Sequence, residues 1–202
     1  MMRHFNSLTT HLRVGLLAIW LTAAATGCSR SPRVTFYTLE PTAPINLTTP
    51  ATTVPNVAIG PITIPELVNR PQMVVRVSAN RVDIQEMHRW AGPLKSEINS
   101  VIAGNLRRLL GSKRVSSSSQ YSGADTEYRV LVDIQRFESS PVGEVTVEAV
   151  WSLRRSSDGP VKNGHSLAHE PFKAGNYDAM VAAYDQAILS ISRDLAQAII
   201  SE

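Results

Sequence analysis

The chain has 202 residues, of which 43% are hydrophobic and 18% charged, and its formal net charge is +3 at pH 7. This composition is that of a globular protein and excludes both a disordered chain and a polytopic membrane protein. The small positive excess falls partly on Arg3 and Arg13, so it does not indicate a nucleic-acid-binding protein. A single cysteine excludes an intramolecular disulfide and a zinc site built from cysteines.

The first 27 residues have the pattern of a signal peptide. Two basic residues precede residues 14–25, VGLLAIWLTAAA, an uncharged apolar run that is short beside the about 20 residues of a membrane-spanning helix. The run ends in ATGC, residues 25–28, which resembles a bacterial lipobox, although Ala25 stands where that pattern usually has Leu. We predict cleavage between Gly27 and Cys28 and lipidation of Cys28. An ordinary secretory signal followed by a structural thiol is the alternative.

The segment after the cysteine is short. Residues 28–33 are predicted to be a lipidated tether and residues 34–202 a single domain. The five residues between Cys28 and Val34 reach at most about 18 Å, so the domain should lie close to the membrane. Two or three acyl chains, such as palmitate, would anchor it stably. Ser29 is not the Asp that favours the inner membrane in lipoproteins of enterobacterial type, so the lipobox resemblance implies the periplasmic face of the outer membrane.

The first half of the predicted domain combines strands with one helix. Segments of strand composition are 34–39, 57–64, 72–78 and 81–85, and the proline-rich residues 40–55 are predicted to be an extended connection. An apolar stripe from Leu94 to Leu110 predicts a helix that begins at Gly92-Pro93 and ends at Gly111.

The second half has the same mixture of elements. A polar loop is predicted over 116–123, and alternating strands over 128–135 and 144–153, with a returning strand over 161–169 after the turn at Asp158-Gly159. A last amphipathic helix should begin at Asn176. The predicted fold is therefore an α+β single domain, a mainly antiparallel or mixed sheet packed by two amphipathic helices.

Few residues form a pattern typical of a catalytic or metal-binding site. His165 and His169 share one strand face, but histidines on a polar strand next to a turn are usually just exposed, so we predict no metal site. Asp83 and Glu86 could pair as carboxylates, but nothing in the sequence places a companion acid or a substrate groove beside them. The sequence contains no GxxxxGK, GxGxxG or GxSxG motif, and core packing accounts for Trp151. We predict a protein without catalytic residues, metal or cofactor.

Two segments are left with two interpretations each. The basic residues Arg107, Arg108, Lys113 and Arg114 either interact with the carboxyl end of the first helix or contact phospholipid headgroups or a partner. Residues 61–71, which hold three prolines, either form a rigid loop that presents an apolar contact or fold over their own sheet.

Three segments in order carry a family resemblance: FYTL at 36–39, VAIGPITIPELVNRPQMVVR at 57–76 and HRWAGPLKSEI at 88–98. With the lipobox cysteine before them, they resemble the PqiC/YmbA family of ABC-type transport auxiliary lipoproteins. The resemblance implies an outer-membrane-anchored periplasmic component of a lipid transport pathway, whose partners are an MCE-domain protein and its inner-membrane complex. It offers no catalytic residues to carry over. Family members are reported as rings, which implies a homo-oligomer.

Two other functions remain open from the sequence. A structural or assembly lipoprotein of the outer membrane would share the anchor at Cys28 and differ only in its partners. A periplasmic hydrolase would need a nucleophile and a base in one cleft, which the sequence does not indicate. No nucleic-acid partner is expected.

Overall fold

The structure, a computed structural model, describes residues 32–45, 55–117, 126–155 and 159–201. The predicted signal peptide, with Gly27 and Cys28, lies outside these residues. Residues Val34–Glu202 form one compact unit, which holds all of the elements described below. In chain order they are β1 Thr35–Tyr37, β2 Val57–Thr63, β3 Gln72–Ser78, β4 Arg81–Trp90, α1 Leu94–Leu109, β5 Val115–Ser116, β6 Tyr128–Ser140, β7 Glu144–Arg155, β8 Val161–Pro171 and α2 Tyr177–Ile200.

The larger sheet has the strand order β5-β2-β6-β7-β8. Strand β2 runs parallel to both of its neighbours, whereas β6, β7 and β8 form an antiparallel meander. In β6 the side chains of Val130, Val132 and Ile134 are buried and alternate with more exposed ones, as a sheet with one covered face requires. The alternation in the sequence therefore identified the covered face correctly.

A second sheet of three strands has the order β1-β4-β3. Strand β1 is parallel to β4, and β3 forms an antiparallel hairpin with β4. The guanidinium of Arg76, on β3, reaches Glu138 of β6 with Nη2–Oε1 and Nε–Oε2 distances of 2.5 and 3.0 Å. This bidentate ion pair joins the small sheet to the large one. The predicted α+β class with mixed strand directions is confirmed, but the strands divide into two sheets.

Both predicted helices are present and pack on the large sheet and on each other. Helix α1 follows Pro93, and Gly111, with φ 61°, comes just after its end. Helix α2 begins at the predicted cap, where Asn176 Oδ1 accepts a hydrogen bond from the N–H of Ala179 at 3.0 Å. Trp151 is 7% exposed, which confirms its predicted place in the core.

Residues 39–43, which we call the strap, run in an extended path from β1 across both helices. Three of its backbone N–H groups donate to helix side chains: Leu39 to Glu97 Oε2 at 3.0 Å, Glu40 to Asp185 Oδ1 at 2.9 Å and Ala43 to Asn105 Oδ1 at 3.0 Å. The strap has no sheet partner, so these side chains satisfy backbone groups that would otherwise be buried unpaired. The predicted extended connection is therefore bound to the core over its first residues.

The strap is also held by close packing against Gly104 and by the guanidinium of Arg108. A Cβ atom on Gly104 of α1 would lie 2.5 Å from Cγ of Pro41, so glycine is what allows the strap to approach the helix. The guanidinium of Arg108 donates to the carbonyl oxygens of Pro41 and Ala43, the latter at 3.3 Å. Arg108 thus serves the strap, which neither interpretation of the basic residues included.

Two sequence predictions need correction in this region. Residues 116–123 were predicted to be a polar loop, yet Ser116 belongs to β5, because Val115 is buried and pairs with Val57 of β2; residues 118–123 lie outside the described residues. Strand β4 extends to Trp90, five residues beyond the predicted end at Gln85, and its last residues pair with β1. Neither pairing can be read from local alternation. Among the described residues, no helix is long and apolar enough to cross a membrane.

Candidate functional site

An apolar groove opens where three parts of the fold meet, and we call it the apolar groove throughout. Val75 of the small sheet forms one side, Ser140 and Pro141 at the β6–β7 turn form another, and the chain from Phe172 to Tyr177 forms the third. It encloses about 340 Å³, including space open to solvent, and Met180 contributes to its lining. Pockets that bind ligands or partners are mostly apolar with a few placed polar groups, and this groove has that character.

The turn beside the groove is fixed by glycine. Gly143 adopts φ +86°, and an added Cβ there would collide with the carbonyl oxygen of Phe172. The N–H of Phe172 in turn donates to the Gly143 carbonyl at 2.7 Å. The β6–β7 turn and the end of β8 are therefore held together by a backbone hydrogen bond. Two of the three sides of the groove are fixed in this way.

Three rings, which we call the ring stack, connect three elements and reach the groove through Tyr177; the ring of Tyr37 is tilted by 35° to that of His88. His88 of β4 lies flat against Tyr177 of α2, with ring centroids 3.6 Å apart and an interplanar angle of 7°. The hydroxyl of Tyr37, on β1, lies 2.9 Å from His88 Nδ1. Because Tyr177 belongs to both the stack and the groove, the small sheet and α2 jointly determine the shape of the groove.

The phenol groups of the stack are poor candidates for proton transfer. Burial, followed by the negative charge of Asp178, raises the pKa of Tyr37. Burial also raises the pKa of Tyr177, and the nearby Asp83 raises it further. Both phenols therefore stay protonated at neutral pH and can offer a hydroxyl hydrogen bond.

A second aromatic cluster lies in the core. Phe137 and Tyr184 stack with centroids 4.0 Å apart, and Trp90 meets both rings edge-on. Tyr184 and Trp90 are almost fully buried, and burial raises the pKa of the Tyr184 phenol far above its ordinary range. This cluster packs the interior behind β4 and gives no access to a ligand.

Asp185 is a buried carboxyl group with a raised pKa. Burial, the largest cause, outweighs the hydrogen bond from the Glu40 N–H, and nearby Glu97 adds negative charge, so the pKa rises to about 6. Perturbed carboxyl groups often mark catalytic sites. Here the carboxylate is 7% exposed and binds the strap, so its hydrogen bond has a structural use.

The two candidate metal-ligating histidines, His165 and His169, contact different carboxylates. Nε2 of His165 lies 2.8 Å from Glu148 Oε1, whereas Nδ1 of His169 lies 3.3 Å from Glu144 Oε1. Both histidine side chains are about half exposed. Across the residues that the structure describes, no group of three or more His, Cys, Asp or Glu side chains could hold a metal.

The two candidate acids on β4 are likewise separated by their partners. Asp83 Oδ2 accepts from Gln85 Nε2 at 2.8 Å, and Glu86 Oε2 pairs with Arg89 Nη2 at 2.9 Å. Glu86 Oε2 also accepts from Gln72 Nε2 of β3 at 3.3 Å, so each carboxylate has its own set of partners. The arrangement provides no acid–base pair around a shared substrate position.

Both interpretations of residues 61–71 describe part of what is found. Val68 is 7% exposed and belongs to the core, so the segment does fold over its own sheet. Leu67, beside it, is 41% exposed. The segment is fixed to the domain by Ile62 of β2 and by Val68, and it leaves Leu67 in solvent.

Neither the apolar groove nor the ring stack can be predicted from the sequence. Tyr37, His88 and Tyr177 are far apart in the chain, and each sits in a different element. The one available signal is that Tyr177 leads the predicted apolar stripe of the last helix while remaining half-buried. A ring at the end of a stripe, beyond the covered face, is a candidate for contacts other than core packing.

Comparisons with known proteins agree on the fold. A family model described as an ABC-type transport auxiliary lipoprotein component matches residues 37–196. A crystal structure of an uncharacterized protein is 20% identical with a TM-score of 0.70, covering 83% of this chain and 99% of that one. A Xanthomonas campestris protein of family DUF330 is 21% identical with a TM-score of 0.63, covering 82% and 95%. No curated protein matches the sequence.

Proposed function

The chain belongs to the family of ABC-type transport auxiliary lipoprotein components, since that family's model spans most of it, and we propose on this premise that it docks a lipid transport assembly at the outer membrane. The resemblance to the PqiC/YmbA family is thereby confirmed. In this proposal, the protein is anchored in the outer membrane through acylated Cys28 and faces the periplasm. It binds an MCE-domain protein that is itself attached to an inner-membrane complex.

The observation that carries the docking proposal is the apolar groove. Its walls are held by the Gly143–Phe172 hydrogen bond, and Tyr177 presents a ring that the stack already orders. A groove ordered before binding loses little conformational freedom when a partner's apolar side chain enters it. Such a site suits recognition of a protein segment.

Binding is also the function that the titratable groups support better than catalysis. Asp185 is occupied by the strap, the phenols of the stack stay protonated, and His165 and His169 pair with separate carboxylates. A hydrolase needs a nucleophile and a base within hydrogen-bond reach. We therefore propose a docking protein without an enzymatic activity.

The short tether supports docking at the membrane surface. Five residues separate Cys28 from Val34, so an acylated protein would keep its domain within about 18 Å of the bilayer. Confinement of this kind raises the effective concentration for a partner that reaches the same layer. Even a groove of modest size could then hold a large assembly in place.

Site-specific photocrosslinking in intact cells tests the proposal. A photoreactive residue is placed at Pro141 or Ala174, two exposed positions of the groove, and at Ile200, a 73% exposed control at the end of α2. We expect adducts with an MCE-domain protein from the two groove positions and none from Ile200.

Two other outcomes would contradict the proposal. If neither groove position gives an adduct with an MCE-domain protein and deletion of the protein leaves outer-membrane lipid composition unchanged, a structural or assembly lipoprotein is the better description. If a purified sample hydrolyses a periplasmic ester or peptide, the assignment to binding alone is wrong. A neighbouring gene that encodes an MCE-domain protein would favour the transport function.

A further inference from the structure

The small sheet has one face on the core and one face in solvent. Tyr37 of β1 is paired with Trp90 of β4, which is buried, and the Tyr37 ring contacts His88, so Tyr37, His88 and Trp90 mark the core side of the sheet. Side chains alternate along a strand, so Phe36 and its partner Arg89 lie on the opposite face. Strand β4 is irregular against β3 between Gln85 and Arg89, but its pairing with β1 is regular from His88 onward, and Met87 directly precedes that pairing. Val34, directly before β1, lies on the same side as Phe36.

These three side chains form an exposed apolar patch, which we call the sheet patch. Their exposed fractions are 36% for Val34, 63% for Phe36 and 37% for Met87. Arg89 is paired with Phe36 and borders the patch, and its guanidinium binds Glu86 at 2.9 Å. Isolated exposed apolar residues are common, but adjacent ones on one sheet face indicate a surface that is covered in use.

The position of the patch in the chain indicates what covers it. Val34 is six residues after Cys28, so the patch begins within about 22 Å of the acylation site along a fully extended chain. The intervening residues include Arg30 and Arg33 and no acidic residue. Basic residues beside a lipid anchor are attracted to anionic headgroups. The nearest apolar phase available to the patch is therefore the bilayer that holds the anchor.

We propose that the sheet patch rests on the outer membrane, with Phe36 and Met87 inserted at the boundary between headgroups and acyl chains. The proposal rests on the proposed function in one respect, because it requires that Cys28 be acylated. The acyl chains would hold the protein on the membrane, and the patch would add a second contact that restrains the domain against the bilayer. Contact through one face of the small sheet would also fix how the domain, and with it the apolar groove, is oriented above the bilayer.

Spin labelling of the full acylated protein tests this contact. Acylation blocks the sulfur of Cys28, so a cysteine introduced at Phe36 or Met87 can be labelled alone. Ile200, an exposed apolar residue on α2, supplies the matched control position. Each labelled protein is reconstituted in vesicles of phosphatidylethanolamine and phosphatidylglycerol, and thermal unfolding checks that the label has not disrupted the fold.

The measurement is collision of the label with oxygen, which concentrates in lipid, and with a water-soluble nickel chelate. Relative to the label at Ile200, we expect labels at Phe36 and Met87 to show at least a threefold higher ratio of oxygen to nickel collisions. Ratios equal to that of Ile200, in protein that floats with the vesicles, would overturn the membrane contact while leaving the anchor intact.

The remaining outcomes separate this inference from the proposed function. Protein that fails to float with vesicles, despite an intact fold, would overturn the anchoring and the membrane contact together. Dipolar broadening between labels at Phe36 on two molecules would show that a second copy covers the patch. Nickel protection that appears only after an MCE-domain protein is added would assign the patch to that partner instead.

Discussion

At the level of single residues, three polar side chains of the two helices have a common use, and two of them, Asn105 and Asp185, are buried. Glu97 and Asp185 accept backbone hydrogen bonds from the strap, and Asn105, which is 0% exposed, does the same. A buried N–H group without a partner costs about 1–3 kcal/mol, so each of these acceptors removes a penalty that the extended strap would otherwise incur. The helices therefore stabilise the chain that leads from the predicted membrane anchor.

Replacing Gly104 with alanine tests the close approach of the strap. Alanine in place of glycine inside a helix normally stabilises by about 0.5–1 kcal/mol. Here the new Cβ would lie 2.5 Å from Cγ of Pro41, so we expect the opposite sign, a loss of about 1–3 kcal/mol in the free energy of unfolding. Urea denaturation followed by circular dichroism measures the change.

The control for this substitution is Ser100→Ala, at an exposed position of the same helix. It should change the free energy of unfolding by less than about 0.5 kcal/mol. A Gly104→Ala variant as stable as wild type would show that the strap can move away from α1 without cost.

The raised pKa of Asp185 predicts a pH dependence with a definite sign. Its pKa is about 6 in the folded protein against 3.8 in the reference state, so the folded chain binds the proton more tightly. The stabilising effect of that proton is complete below about pH 4 and is lost as pH rises through about 6. Asp185→Asn cannot ionise, but its amide oxygen can still accept from the Glu40 N–H.

We therefore expect the free energy of unfolding of Asp185→Asn, relative to wild type, to increase as pH rises from 4 to 7. Denaturant titrations of both proteins at unit intervals of pH measure this difference, in which other titrating groups cancel. A constant difference across the range would mean that the carboxyl titrates normally in the folded protein.

At the level of elements, the sequence predicted what depends on local pattern and not what depends on distant partners. The stripe of α1, the Asn176 cap of α2 and the alternation in β6 all lie within a few residues, and all are found. Strand β5 has two residues and exists because β2 lies beside it. The division into two sheets depends on β1 pairing with β4 across fifty residues, which no local signal encodes.

The candidate site follows the same rule. The apolar groove needs β3, the β6–β7 turn and α2 to converge, so none of its walls is a motif in the sequence. Conversely, His165 and His169 formed the strongest metal pattern, yet cross-strand neighbours gave each its own carboxylate. Two residues four positions apart on one strand are separated by about 13 Å, so the two histidines cannot share an ion.

The Arg76–Glu138 pair tests how strongly the two sheets are joined. Both side chains are about one-quarter exposed, and the hydrogen bond from Arg76 is the largest cause that lowers the pKa of Glu138. A bidentate contact between half-buried groups should couple by about 1 kcal/mol in a double-mutant cycle of Arg76→Ala and Glu138→Ala. Since the Glu138 pKa is depressed, the coupling should disappear as pH falls through that pKa.

The matched control is the cycle of Arg89→Ala and Glu86→Ala. That pair lies within one strand, and Glu86 is 58% exposed, so its coupling should stay below about 0.5 kcal/mol. Equal coupling energies in the two cycles would mean that the contact between the sheets adds nothing beyond a surface ion pair. Unfolding in urea at constant ionic strength gives all of the required free energies.

For the whole molecule, the surfaces proposed for membrane contact and for partner recognition lie on different parts of one small sheet. The strap begins directly after β1, so any pull on the predicted anchor would pass through β1 into the two helices. The apolar groove and the sheet patch share the small sheet, on which Val75 lines the groove and Phe36 lies in the patch. An anchor at Cys28 would therefore act on a domain whose binding surfaces are set by the same three strands.

The anchor itself is predicted to depend on one thiol. Replacing Cys28 with alanine removes the acceptor of the diacylglyceryl group, and without that group the signal peptide of a lipoprotein is not removed. We expect the variant to lose incorporation of labelled palmitate and to accumulate as a precursor about 27 residues longer than the mature protein. Ala25→Leu, which introduces the usual lipobox residue, should be processed at least as fast as wild type. Labelled mature protein from Cys28→Ala would place the anchor elsewhere, and the membrane contact of the sheet patch would lose its basis.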